Sequence, residues 1–179
     1  ALFQPDNPRR LIMDTPVKTR VLFALGVDAV ITQPFTPDYA RIEAEAFLPH
    51  LQKYLPQLTA VYVGENWRFG RGRRGDIALL VAEAKKYGLT VFSAPRVSLD
   101  GEPVSSTRIR SLLEAGEMDA ASAALGFSYF AEGVVVPGKR LGRTLGFPTL
   151  NLAWAPQLRP RFGVYAVRVS GPKSLAPLP

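Results

Sequence analysis

The sequence contains no cysteine and a single histidine, His50, among its 179 residues. Without thiols the chain has no disulfide scaffold, thiolate nucleophile, zinc–thiolate site or iron–sulfur cluster. One histidine leaves no His pair for a metal and no His-relayed triad. We expect His50 to be a surface residue of a helix rather than a general base, so the chemistry must use other groups.

Long apolar runs are also missing. No stretch approaches the roughly 18 consecutive apolar residues of a membrane span. Residues 1–10 lack the cationic and then hydrophobic pattern of a signal peptide. The default expectation is a cytoplasmic protein.

What the chain has is an apolar content of 47% and an excess of positive charge, with 22 Lys and Arg against 15 Asp and Glu. The apolar content is enough for a folded core, so disorder is not expected. The net charge of +7 predicts anionic partners in general. Nucleic acid, phosphorylated metabolites and an anionic membrane surface all remain open at this point.

Two arrangements of secondary structure follow each other along the chain. Up to Gly126, helical patterns alternate with short β-branched runs, as in parallel sheets with crossover helices. Beyond Tyr129, β-rich runs are separated by Gly and Pro turns, which is typical of an antiparallel sheet or barrel. We predict helices at Pro16–Gly26, Ala44–Leu55, Ile77–Tyr87, Ser106–Ala115 and Met118–Leu125, and strands at Val27–Ile31, Ala60–Val63, Leu89–Ser93, Phe130–Val136, Thr149–Leu152 and Val164–Val169.

Residues 64–76 carry four glycines, four arginines and two aromatic rings directly after a predicted strand. Parallel sheets bind ligands beyond the carboxyl ends of their strands. Glycines let main-chain N–H groups approach a phosphate, arginines supply charged donors, and Trp67 or Phe69 could stack on a flat ring. The alternative is a solvated basic loop whose aromatic residues only close the end of the sheet. The position after a strand favours ligand binding.

Three hydroxyl groups, from Ser105, Ser106 and Thr107, lie where a helix is predicted to begin. The N-terminal end of a helix attracts anions through its free N–H groups and its dipole. Ordinary N-capping by Ser105 or Ser106 is the alternative. Capping does not explain Arg108 and Arg110 in the first turn, because cations are unfavourable there unless an anion is bound. The segment therefore predicts a phosphate site.

Residues 138–152 form a cationic, glycine-rich loop followed by a predicted strand. The loop is not a Walker A motif, since its Lys139 is not followed by Ser or Thr. Thr149 and Asn151 are two residues apart and share one face of the strand, where their oxygens suit Mg²⁺ beside substrate phosphates. Turn formation after Pro148 is the alternative reading. The adjacent basic loop favours the nucleotide-phosphate reading.

Taken in order, these segments resemble the bacterial bifunctional riboflavin kinase and FMN adenylyltransferase family, also called FAD synthetases. The sequence departs from the family's pattern at Trp67, where Phe is usual, at Phe127, where a basic or polar residue is common, and at Leu150, where Ala is usual. The matching motifs extend over nearly the whole chain and are Phe3-Gln4-Pro5, Gly26-Val27-Asp28, Val63 to Gly70, Ser105 to Arg110 and Gly138 to Leu152.

The resemblance implies an α/β Rossmann-like nucleotidyltransferase domain over residues 1–125, followed by a flavokinase domain built on an all-β barrel over residues 126–179. Both domains would be incomplete. The family's first strand and His-x-Gly-His motif are expected before Ala1, and the kinase's Glu base and closing strands after Pro179. We therefore expect little of either activity from the 179 residues alone.

The resemblance also implies roles for individual residues. Catalytic residues of the adenylyltransferase site would be Asn66, Ser106, Thr107 and Arg110, the last three contacting ATP phosphates. Thr149 and Asn151 would hold Mg²⁺ and the nucleotide phosphates in the kinase site, with 138–146 as a flap over the phosphates. The residues expected to bind ATP or flavin are Gly64, Arg68, Phe69, Gly138, Lys139, Gly142, Arg143, Gly146, Thr149 and Asn151.

The implied function is FAD biosynthesis, in which riboflavin is phosphorylated to FMN and FMN is adenylylated to FAD, with ATP and Mg²⁺ in both steps. The implied partners are these small molecules and not nucleic acid or a membrane; the oligomeric state is left open. One alternative is an adenylyltransferase for another phosphorylated cofactor precursor, which does not explain residues 138–151. Another is a basic nucleic-acid-binding module that uses residues 68–74.

Overall fold

The computed structural model describes residues 10–139, 141–154 and 157–171, with the backbone alone for Arg143. These residues belong to two compact units. Residues 32–103 lie in the first unit, and residues 10–31 and 104–171 lie in the second. The boundary predicted between residues 125 and 126 refers to the two enzyme domains and stays a prediction.

Helices and strands alternate along most of the described chain. Their bounds, in chain order, are α1 Thr15–Ala24, α2 Pro37–Ala40, α3 Phe47–Tyr54, β1 Ala60–Gly64, a 3-10 turn Arg71–Arg73, α4 Ile77–Lys86, β2 Thr90–Ala94, β3 Ser98–Leu99, β4 Glu102–Pro103, α5 Ser106–Ala115, α6 Met118–Leu125, β5 Val135–Val136, α7 Leu141–Thr144 and β6 Asn151–Leu152.

The first unit is built around two parallel strands. β1 and β2 pair in register, with Val61 opposite Val91, and α4 lies between them in the sequence. Because side chains alternate across a strand, these valines share one face and pack on the core. The other face carries Tyr62 and Phe92, whose stacked rings lie 4.4 Å apart. The buried residues of this core are Ala44, Leu48, Phe69, Leu80, Ala84 and Leu89.

Helix α4 follows directly from its local sequence. The side chain of Asp76 accepts a hydrogen bond from the N–H of Leu79 and caps the first turn. Leu80 and Ala84, one turn apart, both point into the core and are at most 1% exposed. Glu83 is buried as well, and its carboxylate pairs with Lys86 at 2.7 Å. The helix is therefore held by its cap and by one apolar stripe.

The second unit contains α1, α5 and α6. Ser105 caps α5, and Gly116 ends it in the left-handed conformation with φ +83°. Ile109 and Leu113 form the buried stripe of α5, whereas α6 buries the small side chains of Ala121 and Ala124. The two helices pack against each other.

The unit also contains the antiparallel ladder of β5 and β6, with Val136 opposite Asn151. Antiparallel pairing agrees with the prediction for this region, but the strands predicted over 130–136 and 149–152 shorten to two residues each. The run 164–169, predicted as a strand, has none, and Val167 is 76% exposed. Strand formation requires a hydrogen-bonding partner, and the structure describes no paired strand over 164–169.

The strand predicted over Val27–Ile31 does not form either. The N–H of Val27 instead donates to the carbonyl of Leu22 at 3.1 Å and finishes α1. Ile31 is 70% exposed. The β-branched run is thus present in the sequence without a neighbouring strand in the described structure. No helix within the described ranges combines the length and the apolar character needed to cross a membrane.

Gly70 is the tightest backbone position in the first unit. Its φ is +73°, and a Cβ built there would lie 2.6 Å from the Cα of Ala44. We expect Gly70→Ala to lower the free energy of unfolding by about 3 kcal/mol, since it combines a left-handed strain of about 1–2 kcal/mol with overpacking of about 1–3 kcal/mol. Urea unfolding followed by tryptophan fluorescence measures this difference.

Gly72→Ala is the matched control for this measurement. Gly72 has φ +63° but nothing within 4 Å of its Cβ position. We expect the control to lose only the backbone term of about 1–2 kcal/mol. Equal losses in the two variants would contradict the role of the contact with Ala44.

Candidate functional site

A cleft of about 270 Å³ lies beside the β5–β6 ladder in the second unit. Thr149 and Asn151 both line the cleft, and both residues are exposed. Only Asn151 belongs to β6, so the shared strand face that the spacing of the two residues predicts stays a prediction. The lining residues are Val135, Val136, Pro137, Gly138, Pro148, Thr149 and Asn151.

Two glycines lie in close contact with the candidate ligand residues Thr149 and Asn151. A Cβ on Gly138 would overlap the amide of Asn151, with 2.9 Å to its Cγ. A Cβ on Gly142 would overlap the carbonyl of Phe147 and lie 3.0 Å from Cγ2 of Thr149. The backbone therefore approaches both candidate ligand residues more closely than any other residue type permits.

The glycine-rich flap is closed by its own backbone. The N–H of Phe147 donates to the carbonyl of Gly142 at 2.7 Å, and Thr144 Oγ1 donates to the carbonyl of Leu141 at 2.7 Å. Gly146 has φ +80°. Lys139 is exposed, and the side chain of Arg143 lies outside the described atoms. The roles expected for Lys139, Arg143 and Gly146 stay predictions.

The second predicted phosphate site corresponds to the start of α5. Ser105 Oγ accepts a hydrogen bond from the N–H of Arg108 at 3.1 Å, so Ser105 performs the capping. Ser106 and Thr107 follow with exposed side chains, and the first turn contains no acidic residue. Arg110 is half-buried, and its Nε donates to the carbonyl of Arg10 at 2.8 Å. Ser105 thus caps the helix, as in the alternative interpretation, and Ser106 and Thr107 add two further hydroxyl groups at the same end.

The Gly64 loop follows β1 in the first unit, as predicted. Gly64 ends the strand, and Asn66 is exposed with its Oδ1 close above Gly64. Phe69 is only 5% exposed, and its ring stacks on Trp67 at 4.7 Å with Phe47 at 5.2 Å. These contacts are those of the alternative reading, in which the aromatic residues close the end of the sheet. Ligand contact by Phe69 stays a prediction.

Most arginines of this loop have acidic neighbours. Arg68 pairs with Asp76 at 3.1 Å, Arg71 pairs with Glu43 at 3.1 Å, and Arg74 pairs with Glu45. The hydrogen bond from Arg74 lowers the pKa of Glu45. The pairs of Arg71 and Arg74 connect the loop to residues 43–45. Arg73 forms no ion pair with any residue that the structure describes, and its φ is +59°.

His50 lies on α3, as expected. Its ring contacts Tyr39 and Tyr54 edge-to-face at 5.6 and 5.3 Å. Sequence analysis identified neither the acidic partners Glu43 and Glu45 nor the carbonyl that holds Arg110. Complementary charge was the available signal for the acidic partners, but nothing local joins residues that are 28 positions apart.

Comparison with known families is decisive for the first region. Residues 1–108 match the FAD synthetase family model. The chain belongs to this family. Residues 125–177 match the riboflavin kinase family model, so FAD synthetase and flavokinase regions follow each other in one FAD synthetase chain.

Curated relatives agree with this assignment. A bifunctional riboflavin kinase/FMN adenylyltransferase of Escherichia coli K12 is 35% identical over 170 residues, which cover 95% of this chain and 54% of the relative. The corresponding protein of Haemophilus influenzae is 36% identical over 167 residues, covering 93% of this chain and 54% of the relative. The chain therefore spans about half the length of these relatives.

A solved structure is also similar. A crystal structure described as a macrolide-efflux protein from Streptococcus pneumoniae matches with a TM-score of 0.78 and 26% identity. The match covers 92% of this chain and 55% of that one. The similarity supports the fold over nearly all of the chain.

Asp76 ties the Gly64 loop to α4 and gives a pH-dependent prediction. The hydrogen bond from the Leu79 N–H, and then that from Arg68, lower its pKa from the ordinary 3.8, while partial burial opposes them. A lowered folded-state pKa adds stability above the unfolded value, and this stability is lost as the pH falls below 3.8. We expect Asp76→Ala to be less stable than wild type at pH 7, with a smaller difference at pH 3.

Urea unfolding of both proteins at the two pH values measures the effect. Asp28→Ala, at an exposed position, is the control and is expected to behave like wild type at both. A difference for Asp76→Ala that stays constant from pH 7 to pH 3 would contradict the ionic origin of the stabilisation.

Proposed function

We propose that the protein carries out FAD biosynthesis, phosphorylating riboflavin to FMN and adenylylating FMN to FAD, with ATP in both steps. The observation that carries the proposal is the placement of Thr149, Asn151 and Gly138 around one cleft, within residues that match riboflavin kinase. The names of the curated relatives give both reactions for those proteins. Their similarity supports the same two activities here.

The cleft suits the phosphate end of a nucleotide. Small-molecule sites usually occupy about 300–1,000 Å³, and the cleft of about 270 Å³ is smaller. We therefore assign it to phosphate groups rather than to the whole nucleotide. The glycines of the flap carry no side chain of their own, which lets main-chain N–H groups approach phosphate oxygens. In this step a riboflavin hydroxyl attacks the γ-phosphorus of ATP, the bond from that phosphorus to the bridging oxygen breaks to release ADP, and the hydroxyl proton passes to a base.

The donor set fits Mg²⁺. A threonine hydroxyl and an asparagine amide oxygen are hard, neutral ligands of the kind that Mg²⁺ takes together with water and phosphate oxygens. Thr149 and Asn151 would hold the ion in the cleft that they share. When bound, the ion would neutralise phosphate charge. The remaining contribution of the chain is to align the phosphates, which is the main protein contribution to phosphoryl transfer.

For adenylyl transfer we assign the ATP phosphates to the start of α5. The first turn carries the exposed residues Ser106 and Thr107 and no acidic residue, and Arg110 follows on the same helix. In this step the FMN phosphate attacks the α-phosphorus of ATP, and these groups stabilise the departing pyrophosphate. The parallel pairing of β1 and β2 around α4 supports a Rossmann-like fold for this domain.

The two alternatives explain less. An adenylyltransferase for another cofactor precursor would not need a cleft lined by Thr149 and Asn151. A nucleic-acid-binding module would use the arginines of the Gly64 loop, but Arg68, Arg71 and Arg74 already pair with carboxylates. The ion pairs reduce the positive charge that this loop presents to a polyanion.

Two variants of the complete gene product test the assignment of separate sites. We expect Asn151→Ala to slow FMN formation about 100-fold, the typical cost of one charge-stabilising contact, while adenylylation of supplied FMN continues. Arg110→Ala is expected to show the reverse pattern. Initial rates of both reactions, measured separately by chromatography of the flavins, give the result. Equal loss of both reactions in either variant would contradict two separate sites.

Thr149 offers a matched pair for the kinase step. Thr149→Ser keeps the oxygen and is expected to retain most of the rate of FMN formation. Thr149→Val keeps the shape, removes the oxygen, and should lower the rate about 100-fold as well. A serine variant as slow as the valine variant would contradict the role of the hydroxyl.

A further inference from the structure

The side chain of Arg110 is held by the polypeptide backbone. Its Nε donates to the carbonyl of Arg10 at 2.8 Å. A guanidinium has four further N–H donors on its two Nη atoms. The bond to Arg10 therefore sets the direction of the side chain and leaves its outer edge able to contact an anion.

The residue beside Arg10 is bonded through both of its backbone polar groups. The N–H of Leu11 donates to Oε1 of Gln157 at 3.1 Å. The carbonyl of Leu11 accepts a hydrogen bond from the N–H of Leu158, also at 3.1 Å. The position of the Arg10 carbonyl thus depends on residues 157 and 158.

Residues 157–161, which we call the brace, are themselves anchored. Leu158 is fully buried, and its carbonyl accepts a hydrogen bond from Nε1 of Trp154 at 3.1 Å. At the other end, the N–H of Arg161 donates to the carbonyl of Leu113 in α5 at 3.0 Å. The brace therefore begins beside the segment that holds Arg110 and returns to the helix that carries Arg110.

We propose that the brace is a positioning element for adenylyl transfer, and that Gln157 and Leu158 act on the reaction through Arg10 and Arg110. The brace lies in residues 125–177, which match riboflavin kinase, and Arg10 lies in residues 1–108, which match FAD synthetase. Arg110 lies two residues beyond the second of these matches. Residues of the riboflavin kinase region thus orient, through Arg10, a side chain of the site that we assign to adenylyl transfer. The proposal rests on the proposed function of α5 and adds a residue set to it.

Orientation of this kind has a physical effect because an arginine side chain is long and loses several rotatable bonds when it binds. A guanidinium that is fixed beforehand loses less on contact with the phosphates of ATP. A group misplaced by about 1 Å costs up to about 100-fold in rate. The brace should therefore affect the use of ATP in adenylyl transfer and leave the use of riboflavin unaffected.

Gln157 is the best position for the test, because its side chain is exposed and can be changed without opening the core. Gln157→Leu removes the acceptor for the Leu11 N–H, and Gln157→Glu keeps an oxygen there. In the complete gene product we expect Gln157→Leu to raise the KM for ATP in FMN adenylylation about fivefold to tenfold, the range that one hydrogen bond supports. Gln157→Glu is expected to stay near wild type, and KM for FMN and the kinase rate should be unchanged.

A double-mutant cycle separates positioning from general destabilisation. In the Arg110→Ala background, Gln157→Leu should cause no further loss, since the side chain that it orients is gone. Far-UV circular dichroism checks that each variant is folded. Leu158→Ala is the second probe and is expected to lower adenylylation more than Gln157→Leu does, with the same dependence on Arg110.

The other possible outcomes would reject either the positioning role of the brace or the function assigned to α5. Independent losses that multiply in the double variant, or a kinase rate that falls in parallel with adenylylation, would overturn the positioning role. An unchanged KM for ATP in Gln157→Leu would overturn it as well. These results leave the proposed function intact. A wild-type protein that forms FMN but does not adenylylate it would reject the function assigned to α5, and this inference with it.

Discussion

Close approach of other groups to glycine backbone shapes both the Gly64 loop and the glycine-rich flap. At Gly70 and Gly75 the missing Cβ admits the backbone of Ala44 and the ring of Phe69, and so joins the Gly64 loop to the core. At Gly138 and Gly142 it admits Asn151 and the Phe147 carbonyl. Any side chain at these positions would separate the segments in contact. The same property opens main-chain N–H groups to a phosphate, so the residues that shape the loops also make them suitable for anions.

The cleft depends on its backbone more than on packing. The β5–β6 ladder has two residue pairs, and an isolated hairpin of that size is marginally stable. Leu145, Phe147 and Leu150 are each at least 68% exposed, so little apolar burial supports the flap. Its shape comes from internal hydrogen bonds and from Pro148, whose φ is fixed by its ring. A ligand that bridges the flap and the ladder would therefore stabilise this region by binding to its folded form.

Local sequence was sufficient for the five helices of eight or more residues and for the parallel pair, but it did not predict the four-residue helices α2 and α7, and α7 lies in the segment predicted as a glycine-rich loop. Caps and apolar spacing predict α5 and α6 at their observed bounds, and β1 and β2 lie within one residue of the predicted strands. The strand predicted over 27–31 does not form, because β-propensity alone supplies no hydrogen-bonding partner. Thr149 and Asn151, two residues apart, line one cleft, but Thr149 lies outside β6, so strand alternation alone does not account for their placement. Contacts between residues 100 positions apart, such as that of Arg110 with Arg10, leave no local pattern, and the sequence could not indicate them.

The distribution of charge decides where the net charge of +7 can act. In the Gly64 loop, Arg68, Arg71 and Arg74 are partly neutralised by carboxylates within 4 Å, and screening weakens what remains. At the start of α5 the described first turn holds no carboxylate, and Arg110 is bonded to a neutral carbonyl that leaves its charge intact. Most cations of the Gly64 loop are thus paired with carboxylates, whereas the described contact of the Arg110 guanidinium is with a neutral group. Composition alone would favour the Gly64 loop as the anion site, because a count of cations does not include their acidic partners.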